Sequence, residues 1–242
     1  MCEAHRDLLV LLAPRGNKFQ SQQDASMSAI KNPHALSSAQ DDAELFDVME
    51  PPPSDPHGFD IYHDRPKPTG EKKPRKAVHA HHDWHRSAHV WLVDPVRRLV
   101  ALQKRSDQKD TFPGRWDISA AGHVEAGVGD SRETAERELA EELGITLPGK
   151  DNVGTLSFGF TCPAEQASLG GCNCYEDVYF LVVDSSTCDF AVGGAEVSAV
   201  RWESIETLEL ALRRHDEAYV PRVEKYLCAF FPHLENICAK EV

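Results

Sequence analysis

Residues 122–145 read GHVEAGVGDSRETAERELAEELGI, a stretch with seven acidic side chains and two arginines. Apolar residues recur every four positions along its second half, at Ala135, Leu139 and Leu143. This spacing is typical of one face of a helix. Asp130 or Ser131 can cap its start, and Gly144 supplies a stop. The pattern predicts a helix over residues 131–143.

Three carboxylates of this helix, those of Glu138, Glu141 and Glu142, stand at positions i, i+3 and i+4. Side chains at these spacings share one side of a helix, so the three negative charges repel one another. An ordinary solvated acidic face is the alternative. The apolar opposite face, the preceding Gly-rich loop and Arg137 beside the first glutamate favour a functional site. Mg²⁺ or Mn²⁺, which bind oxygen ligands, would relieve the repulsion.

The sequence around the helix alternates between strand-like and helical patterns. Strands are predicted over 88–93, 99–103, 116–119, 154–160, 178–183 and 197–202. Residues 94–98 form a predicted hairpin turn, and a helical region from 204 to 231 is interrupted at Pro221. Mixed strands and two helical regions predict an α/β sandwich.

Upstream of this core the composition changes. Residues 1–43 are predicted to be a disordered leader, since the Ser/Gln/Asn/Ala-rich run from 15 to 42 has few aromatic residues. Residues 44–77 form a second region, with a strand at 44–48, a possible extended piece at 59–62 and a solvated basic loop at 65–76. The folded domain is expected over 78–242.

The 39 acidic against 26 basic side chains give a formal charge of −13, which disfavours nucleic acid polymers and anionic membranes as partners. Seven scattered cysteines suit a reducing compartment. Cys172 and Cys174 lack a second pair, so loop thiols are favoured there over a zinc site. A cytoplasmic location is expected. Targeting by the leader is the alternative, and Glu3 and Asp7 argue against it.

The run from Arg137 to Ile145 resembles the second half of the Nudix box, R-E-U-x-E-E-x-G-U, in which U is a bulky aliphatic residue. The resemblance covers about residues 78–203. It implies a Nudix-fold α/β/α sandwich with a mixed sheet and metal-dependent hydrolysis of a small-molecule diphosphate. In that family the glutamates matching Glu138, Glu141 and Glu142 hold Mg²⁺ or Mn²⁺, and the arginine matching Arg137 orients them by an ion pair.

The first half of the box departs from the family pattern. Six residues after Gly122, where the family has an acid, stands Val128, and Arg137 comes one position late. A one-residue insertion in the loop restores the register of the helix. Asp130 then becomes the nearest substitute for the missing glutamate. Glu196, ahead of a predicted strand, is a secondary candidate for a base or further ligand, with a surface acid as its alternative.

Within this superfamily, HRSAHVWLV, LQKRS and KDTFPGRWDISAAGHVEAG resemble the isopentenyl-diphosphate isomerase branch and its hydrolase relatives. The isomerases hold a metal with three histidines and two glutamates. His79, His85 and His123 match the histidines, and a solvated, histidine-rich segment without a metal is the alternative. The register of Glu176 against the glutamates is ambiguous. Candidates for substrate binding are Lys104, Arg105 and Gly122, and Gly122 is also a candidate at the metal.

The isomerase cysteine, a proton-transfer group, is replaced by Ala121, which can neither donate nor accept a proton. Isomerases also carry a degraded Nudix helix, whereas this helix is complete. Both departures favour a hydrolase of the isomerase-like subgroup. An isomerase and a Nudix-fold binding module without catalysis are the alternatives. The identity of the diphosphate and the oligomeric state stay open.

Overall fold

The computed structural model describes residues 32–38, 40–54, 58–147, 154–166 and 171–240. This part of the chain contains nine strands and four helices. The strands are β1 (Leu45–Met49), β2 (Pro68–Pro74), β3 (His85–Asp94), β4 (Leu99–Arg105), β5 (Trp116–Asp117), β6 (Ala120–His123), β7 (Ser157–Glu165), β8 (Asn173–Val182) and β9 (Val197–Ser204). The helices are α1 (Arg75–His81), α2 (Ser131–Leu143), α3 (Ile205–Arg213) and α4 (Glu224–Lys240).

Seven of the described strands form a mixed sheet centred on β3 and β8, which run parallel to each other. Alternate residues of β3 face opposite sides of this sheet. Ala88, Val90 and Leu92 pack with α2 on one side, whereas Trp91 and Val93 pack with α3 and α4 on the other. The predicted α/β/α sandwich with a mixed sheet is confirmed.

Helix α2 has the bounds that its sequence predicts. The Asp130 carboxylate accepts a hydrogen bond from the Arg132 amide at 2.9 Å, and Gly144 ends the helix with a φ of 72°. The apolar side chains of the fourfold repeat are fully buried against the sheet. Because this face is held by the core, the acidic side chains of the same helix occupy defined positions next to the sheet.

The C-terminal helical region is interrupted before α4, as the position of Pro221 predicts. Helix α4 then continues to Lys240, beyond the predicted end at residue 231, because Phe230 and Leu234 bury its apolar face. Among the described helices, none is both long enough and apolar enough to cross a membrane.

Two predictions for residues 44–77 are wrong. The basic segment 65–76 was expected to be a solvated loop, but most of it forms β2, which pairs antiparallel with β1. Its side chains are mostly exposed, so the stabilising contacts are backbone hydrogen bonds that composition does not reveal. The piece expected to be extended at 59–62 instead enters a turn at residues 61–63.

The end of the predicted leader also differs from expectation. Asn32 is buried, and its side-chain amide donates hydrogen bonds to the carbonyls of Ala140 and Glu141 at 3.0 and 2.9 Å. These carbonyls belong to the last turn of α2, where helical backbone acceptors run short of partners. The Ala140 carbonyl also accepts a hydrogen bond from the Gly144 amide at 3.0 Å. Residues 1–31 lie outside the described residues, so the rest of the leader stays a prediction, as does the division of the chain at residues 43 and 77.

Asp94 stabilises the predicted hairpin turn after β3. Its buried carboxylate accepts hydrogen bonds from the amide and hydroxyl of Ser185 and from the amide and guanidinium of Arg97. Burial alone raises the pKa of Asp94, but these hydrogen bonds outweigh it and hold the pKa at about 2. The ionised form is therefore more stable in the fold than in the unfolded chain, where the pKa is near 3.8.

Asp94→Asn is expected to lower the free energy of unfolding by about 2 kcal/mol at pH 7, since one pKa unit corresponds to about 1.4 kcal/mol. A lowered pKa stabilises the fold above the unfolded value, and the contribution is lost as pH falls through the folded value. The difference between variant and wild type should therefore shrink from pH 4 towards pH 2. Urea unfolding across this range measures it, and a difference independent of pH would contradict the assignment.

Candidate active site

A cleft of about 800 Å³ is lined by residues of α2, β6, β8 and the N-terminal region. Two groups of potential metal-binding side chains contribute residues to its lining, one of carboxylates and one of imidazoles with a thiol. Strand β6 connects the two groups, since its last residues contact both. We call them the carboxylate centre and the histidine centre.

The carboxylate centre consists of Glu138, Glu142 and Glu196, whose nearest oxygens lie within 4.8 Å of one another. Helix α2 provides the first two, one turn apart, and the loop before β9 provides the third. All three residues are buried. The structure thus brings the secondary candidate Glu196 into the site. It leaves Glu141 outside this triad, although Glu141 also lines the cleft.

The ionisation of the centre reflects burial and crowding. Burial raises the pKa of Glu138 to about 7, helped by Glu196 and Glu141 and opposed by Arg137. Burial likewise raises the pKa of Glu142 well above its usual range. Three carboxylates at this spacing are costly without a cation, and a bound cation would favour their charged forms. The donor set, with oxygen atoms alone, fits Mg²⁺ or Mn²⁺.

Polar contacts hold the helix glutamates in place. The Oε2 atom of Glu142 accepts hydrogen bonds from the Gln103 side chain and the Ala121 amide, both at 2.9 Å. Arg137 lies 3.0 Å from Glu138 and 2.7 Å from Glu141, so the ion pair implied by the resemblance is present. Its guanidinium is also 3.7 Å from Glu125. Arg137 therefore connects the centre to the acidic rim of the cleft.

The Glu138 carboxylate occupies the space that a side chain at position 122 would fill. A Cβ atom added at Gly122 would lie 1.8 Å from Oε1 of Glu138, far inside any normal contact. The backbone of β6 therefore approaches the carboxylate as only a glycine permits. This is a positioning role, whereas the sequence proposed Gly122 as a direct substrate or metal ligand. That direct role stays a prediction.

Gly122→Ala is expected to displace the Glu138 carboxylate and to lower metal-dependent turnover on the order of 100-fold, the loss typical of a 1 Å misplacement. Gly129→Ala is the matched control, because no atom lies within 4 Å of a Cβ built there and its φ is not positive. Steady-state kinetics of both variants at saturating metal measure the effect. Equal activity in the two variants would show that the Gly122 contact does not position the glutamate.

The histidine centre brings together the three histidines singled out in the sequence. His79 lies on α1, His85 begins β3 and His123 ends β6, and their ring centroids are 4.9 to 5.2 Å apart. The sulfur of Cys172 lies within 4.8 Å of their donor nitrogens. The sequence interpretation of Cys172 as an ordinary loop thiol missed this neighbour, since the lone C-x-C spacing gives no zinc pattern.

The positive charges of the cleft differ in part from those predicted. Arg105 lines it, but Lys104 does not, because adjacent residues of β4 point to opposite faces. The sequence missed four further cationic residues that line the cleft: Lys72, Arg75, Lys109 and Arg222. Lys109 contacts Glu196 at 2.5 Å. A diphosphate entering here would meet both cations and carboxylates.

A buried ionic group forms one wall of the cleft. Arg222 pairs with Asp117 and lies 3.6 Å from Glu176, while Arg105 contacts Asp117 at 3.1 Å. Burial raises the pKa of Glu176 to about 8, although Arg222 lowers it. The structure places Glu176 in the lining of the cleft, and its match to an isomerase glutamate stays a prediction. Asp130, in contrast, caps α2 and is not among the residues that line the cleft, and its equivalence to the first glutamate of the Nudix box stays a prediction.

The fold and site together define an α/β protein whose cleft holds a buried carboxylate cluster suited to hard divalent cations. A family model described as the NUDIX domain matches residues 83–223, and the chain belongs to the Nudix family. Residues 32–82, including β1, β2 and His79, precede the matched region.

Individual relatives agree with this assignment. The chain is 38% identical over 165 residues to Nudix hydrolase 3 of Arabidopsis thaliana, covering 67% of this chain but 21% of that protein. It is 27% identical over 152 residues to a prenyl-diphosphate phosphatase of Methanosarcina mazei, covering 61% and 79%. A solved structure from Deinococcus radiodurans shares the fold, with a TM-score of 0.53 and 18% identity, covering 79% and 99%. The chain thus spans about a fifth of the length of the Arabidopsis protein.

Proposed function

We propose that the chain is a divalent-metal-dependent Nudix hydrolase that cleaves a diphosphate linkage in a nucleoside-diphosphate-X compound or a related organic diphosphate. The observation that carries this proposal is the buried triad of Glu138, Glu142 and Glu196 beside cationic side chains. Mg²⁺ or Mn²⁺ bound there would neutralise phosphate charge and lower the pKa of water. A solvated acidic surface would not be buried in this way.

The remaining residues of the cleft have roles that their positions suggest. Arg105 and Lys109 would bind phosphate oxygens, since phosphoryl transfer asks a protein mainly for positioning and charge neutralisation. Glu141 lines the cleft outside the triad, so its carboxylate is available to accept a proton from the attacking water. Arg137, paired with Glu138 and Glu141, would keep both in position.

An isomerase function is the less supported alternative. Ala121 lies in β6 between the two centres, where its amide donates to Glu142. Its methyl side chain offers no proton for transfer to a double bond. Glu176 is present in the cleft and could serve as one proton-transfer group. The isomerase reaction needs two such groups, and Ala121 cannot supply the second.

Substrate selection would depend on the groups that line the cleft beside the carboxylate centre. The Methanosarcina relative acts, by its name, on prenyl diphosphates, and the cleft contains both apolar side chains such as Leu45 and Phe112 and cationic ones. We therefore include isoprenoid diphosphates beside nucleoside diphosphates as candidate substrates. We propose a small-molecule diphosphate as the partner, not a nucleic acid polymer.

A metal-supplemented screen of organic diphosphates tests this function. The chain, stripped of metal and then given Mg²⁺ or Mn²⁺, should release phosphate-containing products from at least one compound, and a chelator should abolish the release. Product masses identify the bond cleaved. Absence of metal-dependent turnover across nucleoside and isoprenoid diphosphates, together with affinity for a protein partner, would favour the binding-module alternative.

A further inference from the structure

The histidine centre draws one donor from each of four separate segments. His79 belongs to α1, His85 to β3 and His123 to β6, while Cys172 directly precedes β8. The side chains of His85 and its neighbours are packed under Phe46 of β1, whose ring stacks on His85 at a centroid distance of 5.4 Å. The centre therefore lies where β1 and helix α1 meet the main sheet.

Two ring nitrogens of this centre lack hydrogen-bond partners. Nε2 of His79 and Nε2 of His85 are buried and unpaired in the described structure, and His85 is fully buried. Leaving a buried polar atom unsatisfied costs about 1 to 3 kcal/mol, so each such atom requires an explanation. Because Nδ1 of His85 donates to the Asp83 carbonyl at 3.0 Å, its Nε2 presents a free lone pair. That arrangement is typical of a metal-binding imidazole.

Cys172 changes the kind of metal that the centre favours. The sulfur lies 3.9 Å from Nε2 of His123 and within 4.8 Å of the other donors. Thiolate and imidazole are the ligands of zinc, which binds nitrogen at about 2.0 Å and sulfur at about 2.3 Å. Tetrahedral donors at such lengths lie roughly 3.5 Å apart, so modest side-chain rotations would close the site. The carboxylate centre has no comparable soft donor.

We infer that His79, His85, His123 and Cys172 form a closed zinc centre that is separate from the carboxylate centre and fastens helix α1 to the main sheet. The three-histidine metal implied by the isomerase resemblance has carboxylates as its other ligands. The thiolate, the preference for zinc and the structural role go beyond that resemblance. This inference does not depend on the proposed hydrolase activity.

Metal binding would also change the hydrogen bonds of Arg75. Its NH1 donates to Nδ1 of His123 at 3.0 Å, so the neutral ring carries its proton on Nε2. Binding through Nε2 requires that proton to leave and Nδ1 to become protonated. Arg75 would then lose its acceptor on His123, while its guanidinium remains 3.6 Å from Asp110.

Zinc content and a cobalt spectrum test the centre directly. The full chain, kept reduced and passed through gel filtration with excess Mg²⁺, should retain one zinc per chain. Co²⁺ in its place should show the visible bands of a tetrahedral ion and a near-ultraviolet thiolate charge-transfer band. Cys172→Ser should abolish the thiolate band and weaken zinc binding by at least about 100-fold. Cys228→Ser, at an exposed cysteine of α4, should change neither.

Two further variants keep the result interpretable. His79→Gln should also lose zinc, and a chelator should lower the melting temperature of the wild type but not of this variant. Glu142→Gln should retain the zinc, which separates this centre from the hydrolase site. Wild-type chain without bound zinc, a cobalt spectrum without a thiolate band, or full zinc content in Cys172→Ser would each overturn the inference.

Discussion

Glu142→Gln is expected to reduce metal-dependent diphosphate hydrolysis on the order of 1000-fold while leaving the fold intact. Glutamine has the same shape, but its neutral amide removes one negative charge from the three buried carboxylates around the cation. Metal ions contribute several kcal/mol to the stabilisation of phosphoryl transition states, and each 1.36 kcal/mol corresponds to a tenfold rate. Turnover and Mg²⁺ affinity of the purified variant measure the loss.

Glu209→Gln is the matched control for this substitution. Glu209 lies on α3, where its half-exposed side chain pairs with Arg213 at 2.8 Å, and it is not among the residues that line the cleft. Its replacement should leave turnover unchanged. The metal assignment would be wrong if Glu142→Gln turned over substrate at the wild-type rate with the wild-type metal requirement.

Arg222→Met is expected to lower the free energy of unfolding by about 3 to 5 kcal/mol at pH 7. The Arg222 side chain is 6% exposed and that of Asp117 is 5% exposed, so water cannot replace the lost partner. Removing one member of a buried ion pair leaves an uncompensated charge, and this accounts for the size of the loss. Arg105 remains beside Asp117 in the variant, and its positive charge reduces the loss of stability. Urea or guanidinium unfolding measures the change.

Arg213→Met provides the comparison, since the Arg213 side chain is 40% exposed and its ion pairs are at the surface. Surface ion pairs contribute about 0 to 1 kcal/mol to the free energy of unfolding, so Arg213→Met should lower it by no more than that. Adding Asp117→Asn to Arg222→Met should recover part of the loss, because the stranded charge is then gone. Equal destabilisation by the Arg222 and Arg213 substitutions would contradict a buried network at this wall of the cleft.

The sequence predicts α2 and the layer order well because the relevant signals are local. Asp130 and Gly144 mark the ends of the helix, and the fourfold apolar repeat defines its buried face. Strand β2 is not predicted, because the interactions that form it are not local. Its exposed lysines and flanking prolines resemble a loop, and only pairing with β1 makes it a strand. Asn32 likewise acquires its role from carbonyls more than 100 positions away.

The sequence predicts those residues of the candidate site that lie together on one element, helix α2. The helix spacing identifies Glu138 and Glu142, but it also groups Glu141 with them, which the structure separates from the triad. Glu196 and Cys172 reach their places through long-range sheet pairing, so spacing alone gives no decisive signal. The three histidines were found through the family resemblance, and the structure brings their rings together. Metal binding by either centre stays a prediction.

Hydrolysis in ¹⁸O-labelled water tests the central claim most directly. The chain, supplied with Mg²⁺ or Mn²⁺ and a panel of organic diphosphates, should place one ¹⁸O atom in a phosphate group of the product for each bond cleaved. The label should disappear when the metal is chelated. Products without label, together with solvent-derived deuterium entering the carbon chain of isopentenyl diphosphate while the diphosphate stays intact, would contradict a hydrolase and restore the isomerase.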